Sequence, residues 1–180
     1  MSFVLRRLSA FDGEAVLSLE DARAQCRVLH TDEDTQIAAY RNAAVAHVER
    51  VSGVILSPAH FEWTGDRFPC DLPVGPLTAV DPVTYLGSDL VEATYEGARL
   101  VNGRLAPAVG GYWPAHYGQV TVQFAVGLAS PDQAPDLIAA VRLLIAHWFA
   151  NREAVNIGNI TSELPLAVEA LIQTHRKVMV

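Results

Sequence analysis

Most of the features that would commit a chain to a particular chemistry are missing from these 180 residues. Cysteine occurs twice, as Cys26 and Cys70, far apart and outside any CxxC spacing. No zinc ribbon or thioredoxin-like dithiol is therefore encoded, and two reduced thiols are the plain expectation. Charge is sparse, with 18% Asp, Glu, Lys and Arg, and it leans negative to a formal net −7. General nucleic-acid binders and membrane-surface proteins need a basic face, so this balance argues against both. No apolar run reaches the length of a membrane span. The basic start at Arg6 and Arg7 is followed by an apolar stretch that stops at Asp12, too soon for a secretion signal. There is no G-x-S-x-G, no P-loop and no G-x-G-x-x-G. The histidines His30, His47, His60, His116, His147 and His175 form no i, i+4 pair and no Cys–His group with zinc-ligand spacing. No metal or cofactor is expected.

What the chain does have is apolar patterning. With 51% hydrophobic residues it describes one folded domain. The strongest stretch runs from Ser130 to Glu153. Leu137, Ile138, Val141, Leu144, Ile145 and Trp148 recur at steps of three and four and make one face of a helix continuously apolar. Leu143 and Phe149 widen that stripe beyond what a core alone requires. Ser130 suits the N-cap, Pro131 and Pro135 the first turn, and Asp132 and Asp136 the positive end of the dipole. Burying six such side chains, at roughly 1.5–3 kcal/mol each, contributes on the order of 10 kcal/mol before entropy is counted.

Two helices are expected nearer the N-terminus. Ser18 caps the first, with Leu19, Ala22, Cys26 and Leu29 on its apolar face. Thr31 caps the second, which carries Ile37, Tyr40, Ala44, Val48 and Val51 inward and ends at Gly53. The segment before Glu14 reads as an extended arm. After Gly53 the period changes from 3.6 to 2. Strands are expected over Val54–Trp63, Phe68–Leu72, Ala79–Leu86, Val91–Tyr95, Arg99–Val101, Arg104–Ala106 and Gln119–Val126, with Asn102-Gly103 as a type I′ hairpin turn. A mobile loop is expected over Val155–Glu163. Ser162 and Leu164-Pro165 then open a last short helix through Val168, Leu171 and Ile172. The fold class is α+β: a bundle of about four helices (15–53 and 131–173) with an antiparallel β-insertion (54–127) between the second and third, and a basic, apolar tail (174–180).

Candidate sites are few. His147 beside Trp148 has the chemistry of a base, although a hydrogen-bonded core or interface histidine is the commoner meaning. Trp63, Tyr112, Trp113 and His116 offer the makings of a pocket; a tight turn with an aromatic lid is the simpler account of Gly110-Gly111. Asp32, Glu33 and Asp34 read as a solvated helix start rather than a metal site. A wide apolar helix, a basic tail and no reactive constellation suit an assembly component, and argue against an enzyme.

The order of motifs carries a resemblance. Leu17-Ser-Leu-Glu-Asp-Ala-Arg-Ala-Gln-Cys-Arg-Val, Asp32-Glu-Asp-Thr-Gln-Ile and Ser52-Gly53 come first. Phe61-Glu-Trp, Leu72-Pro-Val-Gly-Pro-Leu, Trp113-Pro114, Val120-Thr-Val-Gln-Phe-Ala-Val-Gly, His147-Trp-Phe-Ala-Asn-Arg-Glu-Ala and Leu164-Pro follow. Together they resemble the phage head–tail connector (adaptor) family, in the larger branch with a β-insertion found in prophages and gene transfer agents. Asp21-Ala-Arg and Ser52-Gly53 depart from the family's commoner Ala-Lys and Thr-Gly. The resemblance implies a non-enzymatic virion-assembly protein at the neck of the particle, assembled in the host bacterial cytoplasm. It implies a ring of twelve copies that binds the portal protein and the next tail or stopper protein. DNA passes through the lumen without sequence-specific binding, and no membrane is involved. The tail Thr174, His175, Arg176, Lys177, Val178, Met179 and Val180 is then the expected portal-docking segment. His147, Phe149, Arg152 and Glu153 are the expected subunit-interface residues. Two alternatives stand beside this reading: a small ligand-binding or enzymatic α+β domain with a pocket near Trp63, Trp113 and His116, and a free-standing dimeric module.

Overall fold

The computed structural model describes residues 3–69, 71–151 and 166–175. Two compact units divide them, one from residues 3–10, 58–69 and 71–127, the other from residues 11–57, 128–151 and 166–175. The α+β expectation holds, with four helices and a largely antiparallel sheet among the described residues.

The helical unit contains α1 (Leu19–Cys26), α2 (Asp34–Ser52), α3 (Pro135–Ala150) and α4 (Leu166–Gln173). Ser18 caps α1 as its sequence suggests, its side chain accepting from the Asp21 N–H at 3.1 Å. That helix is shorter than its apolar spacing implies. Arg27 adopts the left-handed region (φ 58°) and turns its N–H back to the Ala24 carbonyl, which stops propagation. Leu29, expected on the inner face, is left 98% exposed. Thr31 does not cap α2. Its carbonyl accepts from the Asp34 N–H in a preceding turn, and Glu33 holds the N-cap position without a side-chain bond. Gly53 ends α2 in the left-handed region (φ 74°), its N–H on the Glu49 carbonyl. Ser130 caps a single 3-10 turn, Pro131–Gln133, and α3 begins afresh at Pro135. The expected start of the last helix at Leu164-Pro165, its Ser162 cap and the Val155–Glu163 loop lie outside the described residues.

The predicted stripe of α3 is the centre of the core. Leu137, Val141, Leu144 and Ile145 are fully buried and Trp148 nearly so, against Ile37, Ala44, Val45 and Val48 of α2 and Val168 and Ile172 of α4. Alanine at 44 and 140 lets backbones approach. Burial of five large side chains on this one helix, at roughly 1.5–3 kcal/mol each, makes it the largest single contributor to the unit.

The sheet unit is built on β8 (His116–Val126), with β2 (Ala59–Gly65) on one side and β3 (Leu77–Val80) and β4 (Val83–Gly87) on the other. The N-terminal arm forms β1 (Phe3–Arg7) against β2, and β5 (Glu92–Tyr95) pairs β4. All these pairings are antiparallel, in the order β1-β2-β8-β4-β5. A separate hairpin joins β6 (Arg99–Val101) and β7 (Arg104–Ala106). Asn102 (φ 51°) and Gly103 (φ 73°) both take positive φ there, as a type I′ turn demands.

Three strand expectations need correction. The run 79–86 is two strands, because Pro82 lacks the N–H that a continuous ladder needs. Residues 54–57 fold with the helices, the Leu56 N–H going to Glu49 Oε1 at 2.8 Å. Phe68–Leu72 is not a strand at its described positions; Phe68 and Leu72 are buried anchors of an irregular, proline-interrupted segment. Alternation does place Phe61, Trp63, Val120, Val122, Phe124 and Val83 on one buried face. The opposite face is polar, as an antiparallel sheet with one wet side requires.

Candidate functional site

The sequence singles out the end of α3. Two residues apart on a helix lie roughly 200° round its axis, so His147 and Phe149 face different sides. Phe149 is half-buried and packs on the helical core. His147 is held by the helix end: Asn151 Nδ2 donates to the His147 carbonyl at 2.8 Å and lies 3.4 Å from its Nδ1. Trp148, between them, meets His47 of α2 edge-on at 6.5 Å. Burial, and then the neighbouring Arg50, hold the His47 imidazole below its ordinary pKa. Arg50 Nη2 lies 3.3 Å from His47 Nδ1, which accepts, since a guanidinium only donates. Leu143, one turn before His147, is 39% exposed. The excess apolar width of α3 thus divides: Phe149 goes to the core, and Leu143 and His147 form a surface strip. Arg152 and Glu153 lie outside the described residues.

At the other end of the unit, α4 buries Val168 and Ile172 and leaves Leu166 exposed. Its last turn folds back on itself. Thr174 Oγ1 donates to the Leu171 carbonyl at 2.9 Å, and the His175 N–H to the Ile172 carbonyl at 3.0 Å. The His175 imidazole pairs through Nε2 with the Asp136 carboxylate at the start of α3. Desolvation pushes the Asp136 carboxyl up. The bonds from His175 and from the Leu137 N–H, with the charge of His175, outweigh it and bring the pKa below the ordinary carboxylate value. The expected docking tail therefore begins with two residues, Thr174 and His175, that belong to the helical unit. Arg176, Lys177, Val178, Met179 and Val180 lie outside the described residues.

In the sheet unit the expected aromatic pocket comes apart. Trp113 stacks on Phe68 at 4.6 Å and meets Tyr95 edge-on, while His116 sits edge-on to Phe68 at 4.9 Å. Trp63 is buried elsewhere, stacked with Phe3 at 6.2 Å and lying across Gly65, where any Cβ would strike its ring. Tyr112 is exposed. These rings pack on one another. The open cavity of about 210 Å³ in this unit is lined instead by Thr84, Tyr85, Leu86, Glu92, Gln119 and Thr121. Among the described residues no group of three or more His, Cys, Asp and Glu side chains could hold a metal ion, and no helix is long and apolar enough to cross a membrane.

The polar face has an order that sequence reading missed. Register aligns Val4, Thr64, Thr121, Thr84 and Thr94 in one row across β1, β2, β8, β4 and β5. The hydroxyls of Thr64 and Thr121 lie 3.4 Å apart. The next row but one holds Arg6, Glu62 and Gln123. Arg6 Nη2 donates to Glu62 Oε1 at 2.8 Å and Gln123 Nε2 to Glu62 Oε2 at 3.0 Å. The alternation of each strand was visible in the sequence; the pairing that makes the rows was not.

No family model and no curated protein matches the chain. Solved structures do. A chain of the neck of an empty gene transfer agent (GTA) particle, computed with C6 symmetry, is similar at 27% identity and a TM-score of 0.76, over 98% of this chain and 97% of that one. A chain of the virion of a native GTA particle is similar at 28% identity and 0.75, over 98% and 96%. A chain of the neck of a native GTA particle, computed with C12 symmetry, is similar at 26% identity and 0.71, over 98% and 97%. The resemblance read from the ordered motifs is borne out by these whole-length similarities.

Proposed function

We propose that this chain is a head–tail connector, a structural component of the neck of a phage-like particle. The observation that carries it is the full-length similarity, 98% of this chain against 97% of a GTA neck chain. The match extends over both units. The symmetric necks in which the neighbours occur favour an oligomeric ring. Twelve copies are proposed here, stacked on the portal protein and carrying the next tail or stopper protein, with DNA passing through the lumen. The acidic balance of the chain supports a passage that does not hold DNA, because tight phosphate binding requires Lys and Arg. Assembly is proposed to take place in the host cytoplasm. The role is structural rather than catalytic.

Within this reading, β2 to β8 form an insertion between α2 and α3. The segment Thr174–Val180 docks on the portal, rooted on the helical unit by His175 and Asp136. His147, with Leu143 beside it and Arg152 and Glu153 beyond, faces a neighbouring subunit. Phe149 contributes from the core side.

The test is to mix the purified protein with its cognate portal and image the product. A ring coaxial with the portal is expected, and particles made without the protein should carry no joined tails. Tails that remain joined to heads in its absence would overturn the proposal. Deleting Thr174–Val180 should weaken docking while leaving the helical signal of the fold intact.

A further inference from the structure

The open cavity on the sheet lies where the β4–β8 ladder is interrupted. Register passes from Tyr85 opposite Val120 to Gly87 opposite His116, so β8 carries more chain than β4 over this span. Gly118 takes up the excess in the left-handed region (φ 76°). Such bulges are common beside functional sites. The cavity that results holds the Thr84 and Thr121 hydroxyls, the Gln119 amide and the Glu92 carboxylate. Among the described residues no arginine or histidine pairs with Glu92.

The turn from Gly87 to Val91 borders the cavity, since Leu86 and Glu92 on either side of it both line the space. It is closely held. The Gly87 N–H donates to the Val91 carbonyl at 2.8 Å, the Leu90 N–H to the Gly87 carbonyl at 3.0 Å and the Val91 N–H to Asp89 Oδ1 at 3.2 Å. Leu90 sits in the left-handed region (φ 64°), where glycine or asparagine is at ease and a leucine is strained. Burial does not offset that strain, because Leu90 is 62% exposed. Val91 beside it and Tyr117 beside the bulge are equally open. A strained residue that gives nothing to the core points to an outside contact, and Leu, Val and Tyr together suit a protein surface.

We propose that this cavity receives the guanidinium of an arginine carried on an apolar segment of another protein. Glu92 is its counter-ion. Thr84, Thr121 and Gln119 accept its remaining N–H groups, and Leu90, Val91 and Tyr117 pack on the residues flanking the arginine. The lining selects this group. It holds a carboxylate and no cation, so phosphates and carboxylates are repelled. One carboxylate is too few for a hard metal ion, which needs six or more oxygen ligands. Acceptors spread round the cavity match the five donors of a flat guanidinium better than the three of an ammonium. The site stands whether or not copies of the chain form a ring.

The probe is the blocked tripeptide acetyl-Leu-Arg-Leu-amide, titrated into the nitrogen-15-labelled full chain. Saturable shifts are expected at the amides of Thr84, Leu86, Glu92, Gln119 and Thr121. Citrulline in place of the arginine keeps the shape and removes the charge. It should weaken binding about tenfold, the measure of a lost charged hydrogen bond. Glu92→Gln should weaken the arginine peptide to a similar degree with unchanged circular dichroism, since Glu92 is exposed. Shifts scattered over the whole chain, or equal binding of the citrulline peptide, would overturn the guanidinium site. Leu90→Gly separates the rim from the fold: the urea midpoint should stay or rise as strain is relieved, while the peptide binds more weakly. A variant that binds as before, or that unfolds at lower urea, would overturn the part given to Leu90.

Discussion

In the helical unit the apolar residues of all four helices meet in one continuous buried cluster, whereas the sheet unit buries one face and leaves the other polar. The sheet unit also holds Leu90, Val91, Val109 and Tyr112 in the open, at turns and loops rather than in elements. The two units therefore meet their surroundings differently. The helices satisfy their backbone groups internally, so what they present is side chains, such as Leu143 and His147. The sheet presents ordered rows of polar side chains on its open face, such as Thr64 with Thr121 and Arg6 with Glu62.

The sharpest way to break this comparison is to damage each core alone. Phe124→Ala in β8 should cost about 3–5 kcal/mol and Leu144→Ala in α3 about 2–5 kcal/mol, since both side chains are fully buried. Amide exchange read region by region should show the first loss in β2, β4 and β8 and the second in α2 and α3. Equal losses everywhere would mean that the two units unfold as one. Next comes Gly103→Ala. Nothing lies near the added methyl, so the left-handed backbone alone accounts for its cost, about 1–2 kcal/mol, and faster exchange should stay within β6 and β7. Ser18→Ala removes the cap of α1 and should cost about 1 kcal/mol in urea titration, with Ser18→Gly costing less.

The smallest effect is that of pH, and it belongs to the helical unit. His47 has its folded pKa below the ordinary 6.5. Its contribution is complete above that value and is lost as pH falls through it toward the folded value. Asp136 is also lowered from 3.8, so its contribution is present above that value and is lost as pH falls through the lower folded one. Acid should therefore loosen α2 from α3 first and α4 from α3 later. Exchange of α2 amides measured from pH 7 downward checks the first step, which His47→Gln should flatten.

Much of the helical unit was legible because period 3.6 is a local property. The stripe from Leu137 to Trp148, the Ser18 cap and the Gly53 terminus all follow from residues within a few positions of one another. Where local signals competed, the outcome was not readable. Arg27 ended α1 before Leu29 could be used, and Thr31 gave its carbonyl to a turn instead of its hydroxyl to a cap. In the sheet unit, alternation revealed strands, and Asn102-Gly103 revealed a turn. Which strand lies beside which depends on closure over long separations, 61 residues between Glu62 and Gln123, and no short window contains it. Hence Arg6, in an arm without marked pattern, was not recognisable as one end of an ordered polar row. Trp63 and Trp113 looked like partners in sequence, while packing gave them different neighbours.

A sheet whose two edges differ has a direction. Copies related by rotation about one axis must all point the same way along it, so a ring of them has a top unlike its bottom. A part that links two different structures requires that asymmetry. Here it would not need to be added by any partner, because the order from Val4 across to Thr94 already supplies it in every copy.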